Sequence, residues 1–471
     1  MRRFSRYDAA ALVIALGFMV ITIAYSRATP IFEPPDEAAH FLYAHNILTE
    51  GRLPLLEDRA SVFASQSTQR HHMPLYYLIS AVLISGTDRS DIADFLHPSP
   101  LGSTGVVTLN NQNVYLHSLD LAPDATMRAV FILRGFSMLL AVGTLLLIYH
   151  GVTLLFSPAV GVTAMFLTAS IPTFIFISGS ISNDNLTTFL FTAGVVWCIH
   201  AWKNARLSIG NAVLIGVILG GIALSKHNGL ALFGVIGVFV IGGVLARRWT
   251  WSAGLRTLAI AGGLAAVLAG WWYLRNLQLY GDIFAIGASA AIWGRGDSIN
   301  VTPQRVLAEA QGIYYSFWMT LGYLNITGPW WLFPYTFVIV IGALIGAARL
   351  LRRAIRQRQR ATLFALGLCA LVIAGVIAAQ LVTTRSIASS QGRILFPGLI
   401  AFTAVIVVGW RALIPRRWVP LLIVPIAVAA LTGPTVYLAE AYRPLTVVDA
   451  LPASAHPIAA AAEELDLVGY E

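Results

Sequence analysis

The feature that most constrains this chain is a recurrence of apolar runs, each about the 20 residues that cross a bilayer, separated by short polar gaps. About eleven can be read, at 9–27, 129–150, 158–178, 186–202, 209–225, 229–246, 254–273, 332–350, 362–382, 394–412 and 418–438. Only 11% of the 471 residues are charged and 57% are hydrophobic, where soluble domains carry roughly 25% charged residues. The expectation is an all-α polytopic membrane protein organised as one membrane domain. The first run follows three arginines, and no small-x-small cleavage pattern precedes the polar segment after it. It is expected to be a retained span and not a signal peptide.

The formal net charge is +9, and its placement argues for topology and against a nucleic-acid partner. Arg2, Arg3 and Arg6 precede the first run. Lys203 and Arg206, then Arg247, Arg248 and Arg256, then "RLLRRAIRQRQR" (349–360) and "RALIPRR" (411–417) fill alternate gaps. The positive-inside rule puts these gaps in the cytoplasm. The other side then carries a first loop of residues 28–128, "SISNDN", "KHN", "RNLQLYGD", the region near 283–330, "TTRSIASSQGR" and a tail after 440. The two cysteines, Cys198 and Cys369, lie inside apolar runs, which predicts neither a disulfide framework nor a thiolate metal site.

The polar residues with chemical character gather on that outer side. The first loop opens "IFEPPDEAAHFLYAHNIL". Its spacing predicts a helix with Asp36 and His40 one turn apart, and "PLYYLISAVLISG" predicts a second short helix lying at the interface. Two readings of Asp36 and Glu37 stand side by side. Carboxylates in a first helical turn complement the helix dipole. Alternatively, Asp36 is a general base that activates a hydroxyl nucleophile, with Glu37 beside it raising its pKa. His40 either orients Asp36 or is a satisfied interfacial histidine. In "QRHHMPLYYL", Arg70, His71, His72 and Tyr76 form either an interfacial aromatic belt or a cationic and aromatic wall for a sugar phosphate. Asn183 and Asp184 sit in a tight turn. Lys226 and His227 mark a span boundary, as does Arg275. Arg393 stands on the side where basic residues are otherwise sparse. It needs an anionic partner, and its planar fork suits phosphate.

No P-loop, GxSxG, HExxH or CxxC pattern has a supporting context, and no sizeable cytoplasmic domain offers a nucleotide pocket. A donor activated on the outer side is most simply carried by the membrane, which points to a polyprenyl-phosphate sugar.

In chain order, "PPDEAAHFLYAHNI", "HMPLYYLISA", "SNDNLTTFLF", "SKHNGL" and "QGRILFP" resemble the membrane-embedded GT-C glycosyltransferases. The likeness is to the branch of protein O-mannosyltransferases and lipid A aminoarabinose transferases, and it covers most of the chain. It implies a GT-C-like bundle of about 11 transmembrane helices over residues 1–440, with interfacial helices in the outer loop 28–128, and a short outer tail at 441–471. It implies transfer from a polyprenyl-phosphate sugar to a hydroxyl of a protein, lipid or glycan acceptor on the outer face of the cell membrane. Asp36, with Glu37 next to it, takes the place of the catalytic acid. Lys226, Arg275 and Arg393 take the place of the groups that bind the lipid phosphate. The scheme calls for no cofactor and no metal. A carrier or flippase of a lipid-linked saccharide is the alternative from another class, and a surface-glycan polymerase or ligase a nearer one. A transporter distributes ionisable residues along the depth of its spans, whereas here they cluster at one surface.

Overall fold

A computed structural model of the chain describes residues 5–56, 69–99, 113–116, 125–288, 302–386 and 391–443. The expected tail beyond residue 443 and residues 57–68, 100–112 and 117–124 of the 28–128 loop lie outside these residues. Helix α1 (Arg6–Ala28) starts at Ser5, whose hydroxyl accepts from the Asp8 amide while the Asp8 side chain accepts from the Ser5 amide, a reciprocal capping box. Its buried residues, Ala11, Ala15, Phe18, Thr22 and Tyr25, recur at intervals of three and four, which is one face of a helix. Val13, Leu16 and Val20 on its other faces are exposed. An apolar outer face matches a lipid surround, where every backbone group must be satisfied within its own segment.

The first loop forms the two short helices expected of it, α2 (Glu37–Glu50) and α3 (Leu75–Ile84). Helix α4 (Ala125–Leu155) follows, then α5 (Pro158–Ala169) and α6 (Pro172–Ser178). The run 158–178, expected as one span, is bent by 72° between α5 and α6. Pro172 has no amide hydrogen to continue the helix, so the chain turns there. Helices α7 (Asn183–Asn204), α8 (Ile209–Ala223), α9 (Ala231–Leu245) and α10 (Trp251–Tyr280) come next. Helix α11 (Pro303–Met319) leads into a two-stranded antiparallel hairpin, β1 (Thr320–Leu321) and β2 (Ile326–Thr327). Helices α12 (Leu332–Arg356), α13 (Arg360–Ser386), α14 (Leu399–Leu413) and α15 (Val424–Thr432) complete the order. A 3₁₀ segment, Gly392–Gly398, leads into α14.

Among the described residues, eight helices are long and apolar enough to cross a membrane, or nine if the bent pair is one span. The chain is therefore a multi-pass, predominantly helical membrane protein, with eight or nine candidate spans among the described residues where about eleven were expected. Helix α8 has 15 residues, about 22 Å at 1.5 Å per residue, shorter than a hydrocarbon core of about 30 Å. Helix α7 is long enough, but it opens on Asn183, Asp184 and Asn185, all buried against protein. Helices α12 and α14 approach so closely that a Cβ at Gly346 or Gly409 would collide with the facing backbone. Small residues at such crossings let helices pack without a hydrophobic drive.

Candidate active site

The segment after α1 is held by one buried arginine. Arg134 on α4 is 2% exposed. It donates to the carbonyls of Ser26 (2.6 Å), Thr29 (3.0 Å) and Pro30 (3.0 Å). These include carbonyls at the C-terminal end of α1, which have no partner within the helix. Its remaining N–H groups fork onto Glu37, Nε to Oε1 at 2.9 Å and Nη2 to Oε2 at 2.6 Å. Glu37 is fully buried and also accepts from the amides of Phe32 and Ile181, both at 2.9 Å. With four donors on its two oxygens, Glu37 ties the turn after α1 to α4 and to the start of α7. Nearby, Glu33 accepts from the amides of Val114 and Tyr115 and anchors the strap 113–116.

This anchoring sets Asp36. Helix α2 begins at Glu37, and Asp36 is its N-cap in the left-handed region, φ 64°, with no capping hydrogen bond from its side chain. The reading of both acids within a first helical turn therefore holds for Glu37 alone. The Asp36 carboxylate turns towards Arg393, which comes from the 3₁₀ segment before α14. Arg393 Nη2 pairs with Asp36 Oδ2. Its other N–H groups reach Gln391 Oε1 (2.7 Å) and the Pro35 carbonyl (3.3 Å), and Nη1 lies 3.7 Å from Asp184 Oδ2. Asp184 in turn accepts from Lys226 Nζ at 2.7 Å. Four charged side chains, from the first loop, α7, the α8–α9 connection and the segment before α14, thus form one alternating row: Asp36, Arg393, Asp184, Lys226. Burial raises the Asp36 pKa, but the neighbouring charges, the Arg393 guanidinium first among them and Lys226 beyond it, together hold the carboxyl at about 2. Its side chain is 23% exposed, against 4% for Arg393 and 1% for Asp184. Asp36 is the more accessible of the two acids.

The other expected residues separate into three groups. His40 donates to or accepts from the Tyr77 hydroxyl at 2.8 Å, and the same hydroxyl meets His72 at 3.2 Å. His40 belongs to a buried aromatic cluster under Asp36, and its hydrogen bond goes to Tyr77, not to the carboxylate. Burial takes its pKa down to about 3 and takes that of His72 well below the usual imidazole range, so both are neutral near pH 7. Tyr76 is buried with its hydroxyl on Ser137 at 2.9 Å, and Asn183 donates to the Ser225 carbonyl at 3.3 Å. These residues support the site from behind.

A second group lines a cavity of 630 Å³. Its polar end holds His71, His72, Lys226, His227 and Asn228. Its apolar walls are Gly234, Val235 and Val238 of α9 and Leu371, Gly375, Ala378 and Val382 of α13. Arg393 does not line it, although Ile394 does. The third group stands apart. Arg275 donates to the Pro54 carbonyl at 3.1 Å and lies over the Trp272 ring. Arg70 is buried, 5% exposed, outside the cavity lining.

Two participants escaped the sequence reading. Arg134 carried a usable signal, an arginine inside an apolar run, which is a rare and costly placement. Tyr323, whose hydroxyl donates to Asp36 Oδ1 at 3.3 Å, carried none, because a tyrosine between two spans is ordinary.

The oligosaccharyltransferase of Archaeoglobus fulgidus, in its complex with zinc and sulfate, superposes with a TM-score of 0.50 at 14% identity, covering 89% of this chain and 53% of that one. This chain has a GT-C fold. It spans about half the length of the archaeal protein. ArnT from Cupriavidus metallidurans in the apo state gives a TM-score of 0.49 at 14% identity, covering 86% of this chain and 60% of that one. No family model matches the sequence, and a comparison with curated proteins returns no match.

Proposed function

We propose that this chain is a membrane glycosyltransferase. It moves a sugar from a polyprenyl-phosphate donor to an acceptor hydroxyl on the outer face of the cell membrane, with Asp36 as general base and the membrane unit spanning residues 1–440. The observation that carries the reading is the amphipathic cavity. Its apolar walls between α9 and α13 suit a prenyl chain, and its basic end suits one phosphate beside Lys226 and the neutral histidines. From that end the row Lys226, Asp184, Arg393 runs to Asp36.

In this mechanism the acceptor oxygen attacks the anomeric carbon as its proton passes to Asp36. The bond from that carbon to the phosphate oxygen breaks, and the lipid phosphate leaves with the electron pair. Lys226 meets the charge that grows on the leaving oxygen, where a fixed cation is worth most. Single displacement inverts the anomeric centre. Glu37 serves as an anchor, since its lone pairs are already taken. The archaeal relative is described with zinc, but here each carboxylate of the row already faces a cation, Asp36 with Arg393 and Asp184 with Lys226. That donor set does not fit a divalent ion, and no step runs through one.

The test is binding of a polyprenyl phosphate to the purified protein and to Lys226→Met. Binding that weakens roughly 10- to 100-fold, the equivalent of one charge-assisted hydrogen bond of about 1.5–3 kcal/mol, supports the reading. Absence of binding to the unmodified protein defeats it.

A further inference from the structure

We infer that the hydroxyl of Tyr323 occupies the place of the acceptor hydroxyl at Asp36, and that the hairpin of β1 and β2 forms the acceptor side of the site. The inference rests on the transfer reading above and adds where the second substrate enters. Asp36 presents two oxygens. Oδ2 is held by Arg393, which leaves Oδ1 for a proton in flight, and Oδ1 is where the Tyr323 hydroxyl lies, at 3.3 Å. A hydroxyl donating to that oxygen is what an acceptor must present before attack. At 3.3 Å the contact is longer than the 2.5–2.7 Å typical of a strong hydroxyl–carboxylate bond, so a substrate hydroxyl displaces it at little cost.

The two sides of the proposed site also come from different elements. Displacement at the anomeric carbon needs the attacking and leaving oxygens on opposite faces of the sugar. The cavity assigned to the lipid phosphate is lined from the first loop, the α8–α9 connection, α9, the segment after α10, α13 and Ile394 before α14, and no residue of the α11–α12 connection lines it. Tyr323 reaches Asp36 from that α11–α12 connection. The hairpin presents it at a fixed tip, with Gly322 (φ 59°) and Leu324 (φ 64°) on either side in the left-handed region. Backbone held this way is a constrained turn and not a free loop. Burial keeps the phenol protonated, with a pKa well above its usual value. In the resting protein Tyr323 therefore caps Oδ1 with a hydroxyl without itself becoming a nucleophile.

When the acceptor displaces Tyr323, the acceptor proton goes to Asp36 and the phenol keeps its own. When Tyr323 is removed, water takes the vacant place. Its proton goes to Asp36, its oxygen joins the anomeric carbon, and free sugar and polyprenyl phosphate are released.

The experiment compares the full chain with Tyr323→Phe on a panel of polyprenyl-phosphate sugars without acceptor, measuring free sugar, alongside the affinity of each protein for polyprenyl phosphate alone. Loss of a competing hydrogen bond of about 0.5–1.5 kcal/mol predicts roughly a two- to tenfold rise in sugar release, with polyprenyl-phosphate affinity unchanged. A fall in release at unchanged affinity overturns the inference, because Tyr323 then assists Asp36 instead of standing in for the acceptor. Equal release by the two proteins, nil included, overturns it as well. Failure of the unmodified protein to bind polyprenyl phosphate is a different result, and it removes the transfer reading together with this one.

Discussion

Arg393 and Asp36, 357 residues apart in the chain, form the ion pair that joins the last third of the fold to the turn after α1. The pair is asymmetric. Arg393 is nearly buried and has three further partners in Gln391, Pro35 and Asp184, while Asp36 has Arg393 and a weak phenol. Arg393 is thus held in place by the protein, and Asp36 is held by Arg393. The guanidinium takes Oδ2 and leaves Oδ1 to the Tyr323 hydroxyl, and it keeps the carboxylate ionised near neutral pH.

Arg393→Lys tests this arrangement. An ammonium cannot keep the planar fork that spans Asp36, Asp184 and Gln391 together. Turnover is expected to fall roughly 10- to 100-fold, the cost of about one charge-assisted hydrogen bond, with polyprenyl-phosphate affinity little changed, since Arg393 does not line the cavity. A large loss of donor affinity at unchanged turnover would return Arg393 to the phosphate, the role its sequence position suggested.

Asp36→Asn removes the proton acceptor and keeps the shape. Transfer is expected to drop by about 10²–10⁴-fold, the range general base catalysis supplies, while the amide oxygen still accepts from Arg393 and the protein stays folded. Turnover near the unmodified level in a folded Asp36→Asn protein leaves the acid with a purely structural role.

What the sequence made legible follows from what each residue needs locally. Apolar runs announce themselves through length and composition, so the membrane class, the two short helices of the first loop and the acidic turn between spans were all readable. The segments carrying Asp36, Asp184, Lys226 and Arg393 were each identified, and the resemblance to GT-C proteins grouped them. Their pairing was not readable, because it depends on how α7 and the 3₁₀ segment before α14 meet, which no local pattern encodes. The division of labour between Asp36 and Glu37 was hidden for the same reason. Adjacent acids look alike in a sequence, and distant partners distinguish them, Arg134, 97 residues from Glu37, and Arg393, 357 residues from Asp36. The break at Pro172 was visible in the sequence but lay inside an apolar run long enough to pass for one span.

His40 supplies a pH-dependent signature of its own. Its pKa is about 3 in the folded protein and 6.5 as usual in an open chain, because burial penalises the imidazolium. Between these values the unfolded chain binds a proton that the folded chain does not, so stability rises with pH through this window and is flat above it. Replacing His40 by Gln should lessen the slope of thermal stability against pH from about 4 to 6.5 and leave the plateau slope unchanged. An identical slope in His40→Gln would mean that the histidine is protonated in the folded protein after all.

The last expectation concerns Glu37 and Arg134. Both are almost completely shielded, 0% and 2% exposed, and their bond joins α4 to the end of α1, the start of α2 and the α6–α7 turn. Glu37→Gln keeps an oxygen to accept from Arg134 and removes the charge that balances it. A buried guanidinium left without its anion is expected to destabilise the fold by about 3–5 kcal/mol, read as a lower melting temperature in detergent or lipid. Removing both charges, Glu37→Gln with Arg134→Gln, takes away the uncompensated cation. It should recover part of that loss, since the larger share of the penalty lies in the unpaired charge and not in the lost attraction. If Glu37 is instead a member of the reacting set, Glu37→Gln will keep its melting temperature and lose turnover. Melting temperature and sugar transfer measured on the same three proteins decide between the anchor and the catalyst.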